Sequence, residues 1–254
     1  AHLSDSKFDA DREEIIRRAF DAGIDAIVEI ADGPLEWPKA RALAAAHPGK
    51  IWWAGGLHPY HADEASDAVW KRLADIATDE RFVAVGEIGL DYAKCPVPRE
   101  RQIEAFEQAL DLAASLKKPL VIHCRDAYED LMPVLRRRAG RLGKIPGVVH
   151  CFSGNAHNAA ELVEMGFVLG VDGPVTYPNA HALRASLEKI PAEAMVLETD
   201  SPYLPPQSRR GQRNEPACLP EIGKCLSAVL RRPPAETMPI WRSNSIRVFG
   251  LNPR

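Results

Sequence analysis

Seven short apolar runs recur along this chain, each followed by a longer amphipathic stretch or a loop. They are "DAIVEI" (25–30), "IWWAGG" (51–56), "FVAVGEIG" (82–89), "PLVIH" (119–123), "GVVHC" (147–151), "FVLGV" (167–171) and "AMVLET" (194–199). The runs are nearly continuously apolar, as strands buried on both faces must be. Between them, the stretches 9–22, 98–116, 126–139 and 158–166 space apolar residues three and four apart. In 98–116 these are Ile103, Phe106, Ala109, Leu110 and Ala113. That spacing predicts helices with one buried stripe. Strand and helix alternating several times predict an α/β fold, a parallel sheet with crossover helices.

The count separates two such architectures. Helix 9–22 precedes the first run, and in a βα series it needs a strand of its own. A (β/α)8 TIM-type barrel places that strand just before residue 2, so that "AH" is its tail and most of strand one is missing from this chain. The chain opens on "AHLSDSKFDADREE" without an initiator Met or a visible signal peptide, and further residues are expected upstream. The missing strand would leave two open edges, beside "DAIVEI" and "AMVLET". An open doubly wound sheet is the alternative. No glycine-rich phosphate loop follows the early strands, which counts against it. A length of 254 residues suits one barrel domain spanning 1–254.

Bulk properties restrict the partners. A net charge of -3 provides no global surface for nucleic acid, so any phosphate contact must be local. Five cysteines, an odd number without a CxxC, predict free thiols in a reducing, cytoplasmic compartment. No apolar run approaches the roughly 18 residues of a membrane span.

Parallel barrels carry functional side chains at the C-terminal ends of their strands. In chain order those positions hold His58, Glu87, His123, His150 and Asp200. One strand-end histidine is more often structural than a ligand. Five such groups on one rim form a nitrogen and oxygen set suited to zinc, manganese or a similar divalent ion. A carboxylate such as Glu87 can bridge two ions about 3.5–4 Å apart. A carboxylate such as Asp200 can hold an ion and take a proton from water. Adjacent strand residues face opposite sides, so Cys124 and Cys151 should turn away from His123 and His150 into the packing. His47, His157 and His181 are expected on the surface.

Seven segments carry a resemblance. They are "AHLSD" (1–5), "GLHPYHA" (56–62), "VGEIGLDY" (85–92), "IHCRDA" (122–127), "HCFSG" (150–154), "LETDSPYLPP" (197–206) and "RRGQRNEP" (209–216). In this order, over nearly the whole chain, they resemble the TatD family of metal-dependent deoxyribonucleases, within the amidohydrolase-like barrel superfamily. The resemblance implies two divalent metal ions per chain, zinc, manganese or magnesium. That family opens with a His-x-His pair, of which the second matches His2 and the first falls before Ala1. His2 and that partner would hold one ion, and His123 and His150 the other. Glu87 would bridge, and Asp200 would bind the first ion and act as general base. The implied substrate is single-stranded DNA, cleaved 3'-5' from an end. The family often has a second histidine after His-Pro. Here Tyr60 stands there and His61 follows, which reads as tuning of the substrate rim.

The other strand-end residues suit a phosphodiester. Arg125 follows His123 and can neutralise a phosphate oxygen. Arg209, Arg210 and Arg213 crowd a proline-bounded loop and predict a basic patch on the active rim. Tyr92, Tyr203 and Phe152 are candidates to stack on bases, and His58 to contact substrate. Two alternatives stay open. One is a small-molecule esterase or lactonase, disfavoured because Glu87 stands where many such barrels carry a modified lysine. The other is a barrel that binds metal or nucleic acid without turnover, if the first metal site is lost. A monomer is expected.

Overall fold

The computed structural model describes residues 1–253. Among these, seven strands form one sheet in chain order: β1 (Ile27–Ala31), β2 (Ile51–Gly55), β3 (Phe82–Asp91), β4 (Leu120–Arg125), β5 (Gly147–Val149), β6 (Val168–Val171) and β7 (Met195–Leu197). Each neighbouring pair is parallel. Every expected strand is present. The helices are α1 (Arg12–Asp21), α2 (Trp37–Ala46), α3 (Asp67–Ile76), α4 (Arg99–Leu116), α5 (Tyr128–Arg138), α6 (Ala156–Glu164), α7 (His181–Leu187), α8 (Leu219–Val229) and α9 (Pro234–Phe249). The four helices expected from spacing appear as α1, α4, α5 and α6. Five further helices, α2 and α3 between β1 and β3 and α7, α8 and α9 after α6, were not expected from spacing; α2 is rich in small alanines. Among the described residues, no helix is long and apolar enough to cross a membrane.

The two faces of the sheet divide the work. Leu120, Ile122 and Cys124 point outward and pack with Phe106, Ala109 and Leu110 of α4. Each fully buried large apolar side chain contributes about 1.5–3 kcal/mol relative to exposure. Ile30, Ala54, Ala84 and Val121 fill the inside, beside a second cluster of Val148, Val168 and Val196. Phe249 at the end of α9 packs against both inner clusters. Leu251 packs against Trp52 and Val83, near the N-terminal ends of their strands. The C-terminal segment thus plugs that end of the sheet and leaves the opposite rim to polar side chains.

β1 and β7 do not pair with each other. Residues 1 and 2 bridge them: Ile30 N donates to Ala1 O at 2.9 Å, and His2 N donates to Ser201 O at 2.7 Å. This is where the tail of a first barrel strand was expected. Below the bridge lies a cavity of about 510 Å³, lined by Val28, Ile30, Val121, Val148, Val196 and Phe249 among others. Glu29 is fully buried and anchors the bridge. Its Oε2 accepts Leu3 N at 2.6 Å, and its Oε1 accepts Ser4 N at 2.8 Å and Ser4 Oγ at 2.5 Å.

Candidate metal centre

Glu87 sits at the centre of the polar rim, on an irregular part of β3. The register of β3 on β4 shifts between Val85 and Ile88. Gly86, at φ 154°, makes this possible, because a Cβ there would lie 2.4 Å from Val121 O. The Glu87 side chain is only 4% exposed and faces four histidines. Its Oε1 lies 2.7 Å from His123 Nδ1, 3.8 Å from His58 Nε2 and 3.8 Å from His150 Nε2. Its Oε2 lies 4.0 Å from His2 Nε2. Burial alone would raise its pKa; the charge of His150 and the hydrogen bond to His123 outweigh it and hold the carboxyl well below the usual range.

Asp200 completes the group from the loop after β7. Its Oδ1 lies 3.2 Å from His2 Nε2 and 3.6 Å from His150 Nε2. Burial opposes ionisation, but the bond to His2 and the charge of His150 lower its pKa. Buried Asn214 holds this loop in place. Its Nδ2 donates to Thr199 O and to Tyr203 O, each at 2.6 Å.

Each inner histidine has a carboxylate behind it, a pattern that sets ring orientation at metal sites. His150 Nδ1 lies 3.0 Å from Glu198 Oε1, which also accepts Cys151 N at 2.5 Å. His123 Nε2 lies 3.2 Å from Asp91 Oδ2. Asp91 is itself fixed, since its Oδ1 accepts Ala93 N at 2.9 Å and Lys94 N at 3.1 Å. His2 Nδ1 lies 3.5 Å from Asp32 Oδ2. Asp32, Asp91 and Glu198 were missed in the sequence. Asp32 lies one residue beyond "DAIVEIA", at a strand end like the others, and Asp91 and Glu198 stand inside the quoted motifs.

The donor set fits a metal. His58, Glu87 and His123 bring one ligand atom each within 4.8 Å of one another, and so do His2, Asp32 and Glu87. Asp32 Oδ1 is buried without a hydrogen-bond partner. His58, expected on the substrate side, lies within the cluster. Its Nδ1 accepts Tyr60 N at 3.2 Å, which leaves Nε2 toward Glu87.

The outer residues divide. Arg125 is exposed at the end of β4. Tyr203 is half-exposed, with its ring 5.9 Å from that of His2. Arg213 is turned to the N-terminal segment: its Nη1 donates to Lys7 O and its Nη2 to Asp11 Oδ2, each at 2.5 Å. Arg209 pairs with Glu215 at 3.2 Å, and the Arg210 guanidinium lies 4.4 Å above the Tyr177 ring. The expected basic patch is therefore largely matched within the protein. Phe152 is buried and offers no face to a base. The Tyr92 hydroxyl donates to Asp130 at 2.7 Å, and the Arg99 guanidinium lies 4.1 Å over its ring. Cys124 turns outward into the core as expected. Cys151, just beyond β5, lies against buried Asp172 rather than in the apolar packing expected of it.

The chain is similar to known proteins over nearly its whole length. Residues 1–250 match the family model described as TatD related DNase. The chain is 35% identical over 256 residues to the 3'-5' ssDNA/RNA exonuclease TatD of Erwinia billingiae, covering 98% of this chain and 97% of that protein. It is 32% identical to the uncharacterized metal-dependent hydrolase YabD of Bacillus subtilis, over 99% of this chain and 98% of that protein. The crystal structure of YjjV, a TatD homolog from Escherichia coli, superposes with a TM-score of 0.91 at 31% identity, covering 98% of this chain and 95% of that one. The chain belongs to the TatD-related DNase family.

Proposed function

We propose that this protein is a metal-dependent nuclease that hydrolyses phosphodiester bonds of single-stranded DNA from the 3' end. The observation that carries the reading is Glu87, an ionised buried carboxylate within 4.0 Å of nitrogens from four histidines. The activity for which the Erwinia relative is named, 3'-5' ssDNA/RNA exonuclease, supports the substrate class.

Two divalent ions, zinc, manganese or magnesium, are assigned to the cluster. His2, Asp200 and Glu87 would hold one, and Glu87, His123 and His150 the other. His58 and Asp32 stand against the same carboxylate. When bound, such ions polarise a phosphodiester and acidify water. The chain's own residues supply the rest. Asp200 is ionised at neutral pH and takes the proton of the attacking water. Asp91 and Glu198 hold the rings of His123 and His150. Arg125, the exposed strand-end cation, neutralises a phosphate oxygen. Arg213 is tied to Asp11 and steadies the loop carrying Asp200.

We read the chain as one barrel unit over 1–254, acting as a monomer. Its five cysteines are free, which supports a reducing cytoplasmic setting. The test is hydrolysis of end-labelled single-stranded DNA with manganese or magnesium, with and without a chelator. Metal-dependent shortening from the 3' end is expected, and its absence from loaded, folded protein would overturn the reading.

A further inference from the structure

Among the described residues, three large hydrophobic side chains are exposed: Leu35 at 84%, Tyr60 at 43% and Tyr203 at 42%. Scattered apolar side chains on a surface need no explanation. These are not scattered. Leu35 follows β1, Tyr60 follows β2 and Tyr203 follows β7, so all three stand on the rim that carries the metal cluster.

Each tyrosine is one ring removed from the Glu87 hub. The Tyr60 ring stacks on His58 at 5.1 Å and 19°. The Tyr203 ring meets His2 edge-on at 5.9 Å and 72°. Tyr203 is held from behind: its hydroxyl donates to Asp5 at 2.7 Å, and Lys7 Nζ covers the ring at 4.0 Å. Leu35 is presented by a pinned loop. Arg72 Nη2 donates to Pro34 O at 3.1 Å, and Asp32 N donates to Glu36 Oε2 at 2.8 Å. Gly33 presses on the His61 ring, where a Cβ would lie at 3.2 Å, so the Leu35 loop adjoins the Tyr60 loop. Arg125, the exposed cation at the end of β4, stands on the same rim.

We propose that Leu35, Tyr60 and Tyr203 grip the unpaired bases of a strand end. Tyr60 and Tyr203 stack on bases flanking the phosphate at the cluster, and Leu35 packs against the adjoining base. This rests on the phosphodiester reading and deepens it. Stacking needs a free base face, and a duplex interior offers none, so the rim itself selects single strands.

The test measures binding separately from cleavage. Fluorescence anisotropy follows metal-loaded protein on a labelled single-stranded oligonucleotide whose last linkages are phosphorothioates. A second oligonucleotide carries abasic residues at the same end. Loss of one stacked base weakens binding about tenfold to a hundredfold. The pair Leu35→Ala and Tyr60→Ala together should weaken binding of the intact end by at least about thirtyfold, with Tyr60→Trp restoring it. The abasic end should bind native and doubly substituted protein alike. Intact-end binding that stays within about twofold in the double variant would overturn the rim. Base-dependent binding without cleavage would leave the rim standing and sink the nuclease reading. Cleavage with base-independent binding would do the reverse.

Discussion

Metal loading of this centre should expel about three protons at pH 7. The four histidines around Glu87 do not share one protonation state. Burial lowers His58 to about 4 despite the attraction of Glu87, so it is neutral. Burial also works against His123, but bonds to Asp91 and Glu87 raise it to about 9. For His2, Asp32 and Asp200 overcome burial and raise it to about 10. His150 is likewise raised well above its usual value, against burial, by Glu198 and Glu87. A histidine two units above the ambient pH is about 99% protonated. A metal takes only neutral imidazole, so His2, His123 and His150 must each lose a proton.

Isothermal titration of the metal-free protein with manganese or zinc, in two buffers of different ionisation enthalpy, counts those protons. Release should hold from neutral pH to about pH 8, fall near pH 9 as His123 loses its proton in the metal-free protein, and fall further near pH 10 as His2 does. His123→Ala should release about one proton fewer. The same shifts set a stability slope in the metal-free protein. Raised histidines stabilise it fully below their unfolded pKa of about 6.5, and that contribution is lost as pH rises through about 9 to 10. Release of fewer than about one proton at pH 7, or a count that does not change by pH 10, would refute this assignment of charge.

Glu29→Ala strips three hydrogen bonds from the Leu3–Ser4 segment and should cost about 2–4 kcal/mol in urea unfolding, with weaker metal uptake because His2 is tethered there. Unchanged unfolding and uptake would show that the segment is held by other contacts. Asp79 is held well below the usual carboxylate range by its hydrogen bonds from Arg81, against burial, and by Arg41. Its contribution is present above about pH 4 and lost as pH falls, so Asp79→Ala should lower stability at neutral pH by about 1–2 kcal/mol and flatten the acid-side loss. Denaturant midpoints of both proteins across acid pH check this. Asp200→Asn should lower kcat on single-stranded DNA at least about a hundredfold with the circular dichroism unchanged. A loss under about tenfold would remove Asp200 from the role of base.

Most of the scaffold was legible because β and α periodicities are local. "PLVIH" and "GVVHC" read as buried strands from their own residues, and both lie where predicted. Alternation along a strand also placed His123 and Val121 on one face and Cys124 on the other. The stripe of α4 read correctly for the same reason, while alanine-rich α2 has no such stripe to read. The substrate side was less legible. Phe152 and Tyr92 looked like base platforms, but Phe152 is buried, and Tyr92 is less exposed than Tyr203 and has the Arg99 guanidinium over one face. The arginines at 209, 210 and 213 looked like a basic patch, yet Glu215, Tyr177 and Asp11 absorb them.

What the sequence by itself determined was the order of strands and the chemistry waiting at their ends. Backbone geometry repeats every two or 3.6 residues, so a short stretch carries enough information for that. Which carboxylate meets which histidine was decided only by the curvature of the sheet. His2 and Asp200 touch across 198 residues of sequence, and Asp32 enters the cluster only because residues 1 and 2 are bridged between β1 and the loop after β7. Charge and burial act through space, and no local pattern encodes how far apart in space two distant segments will lie.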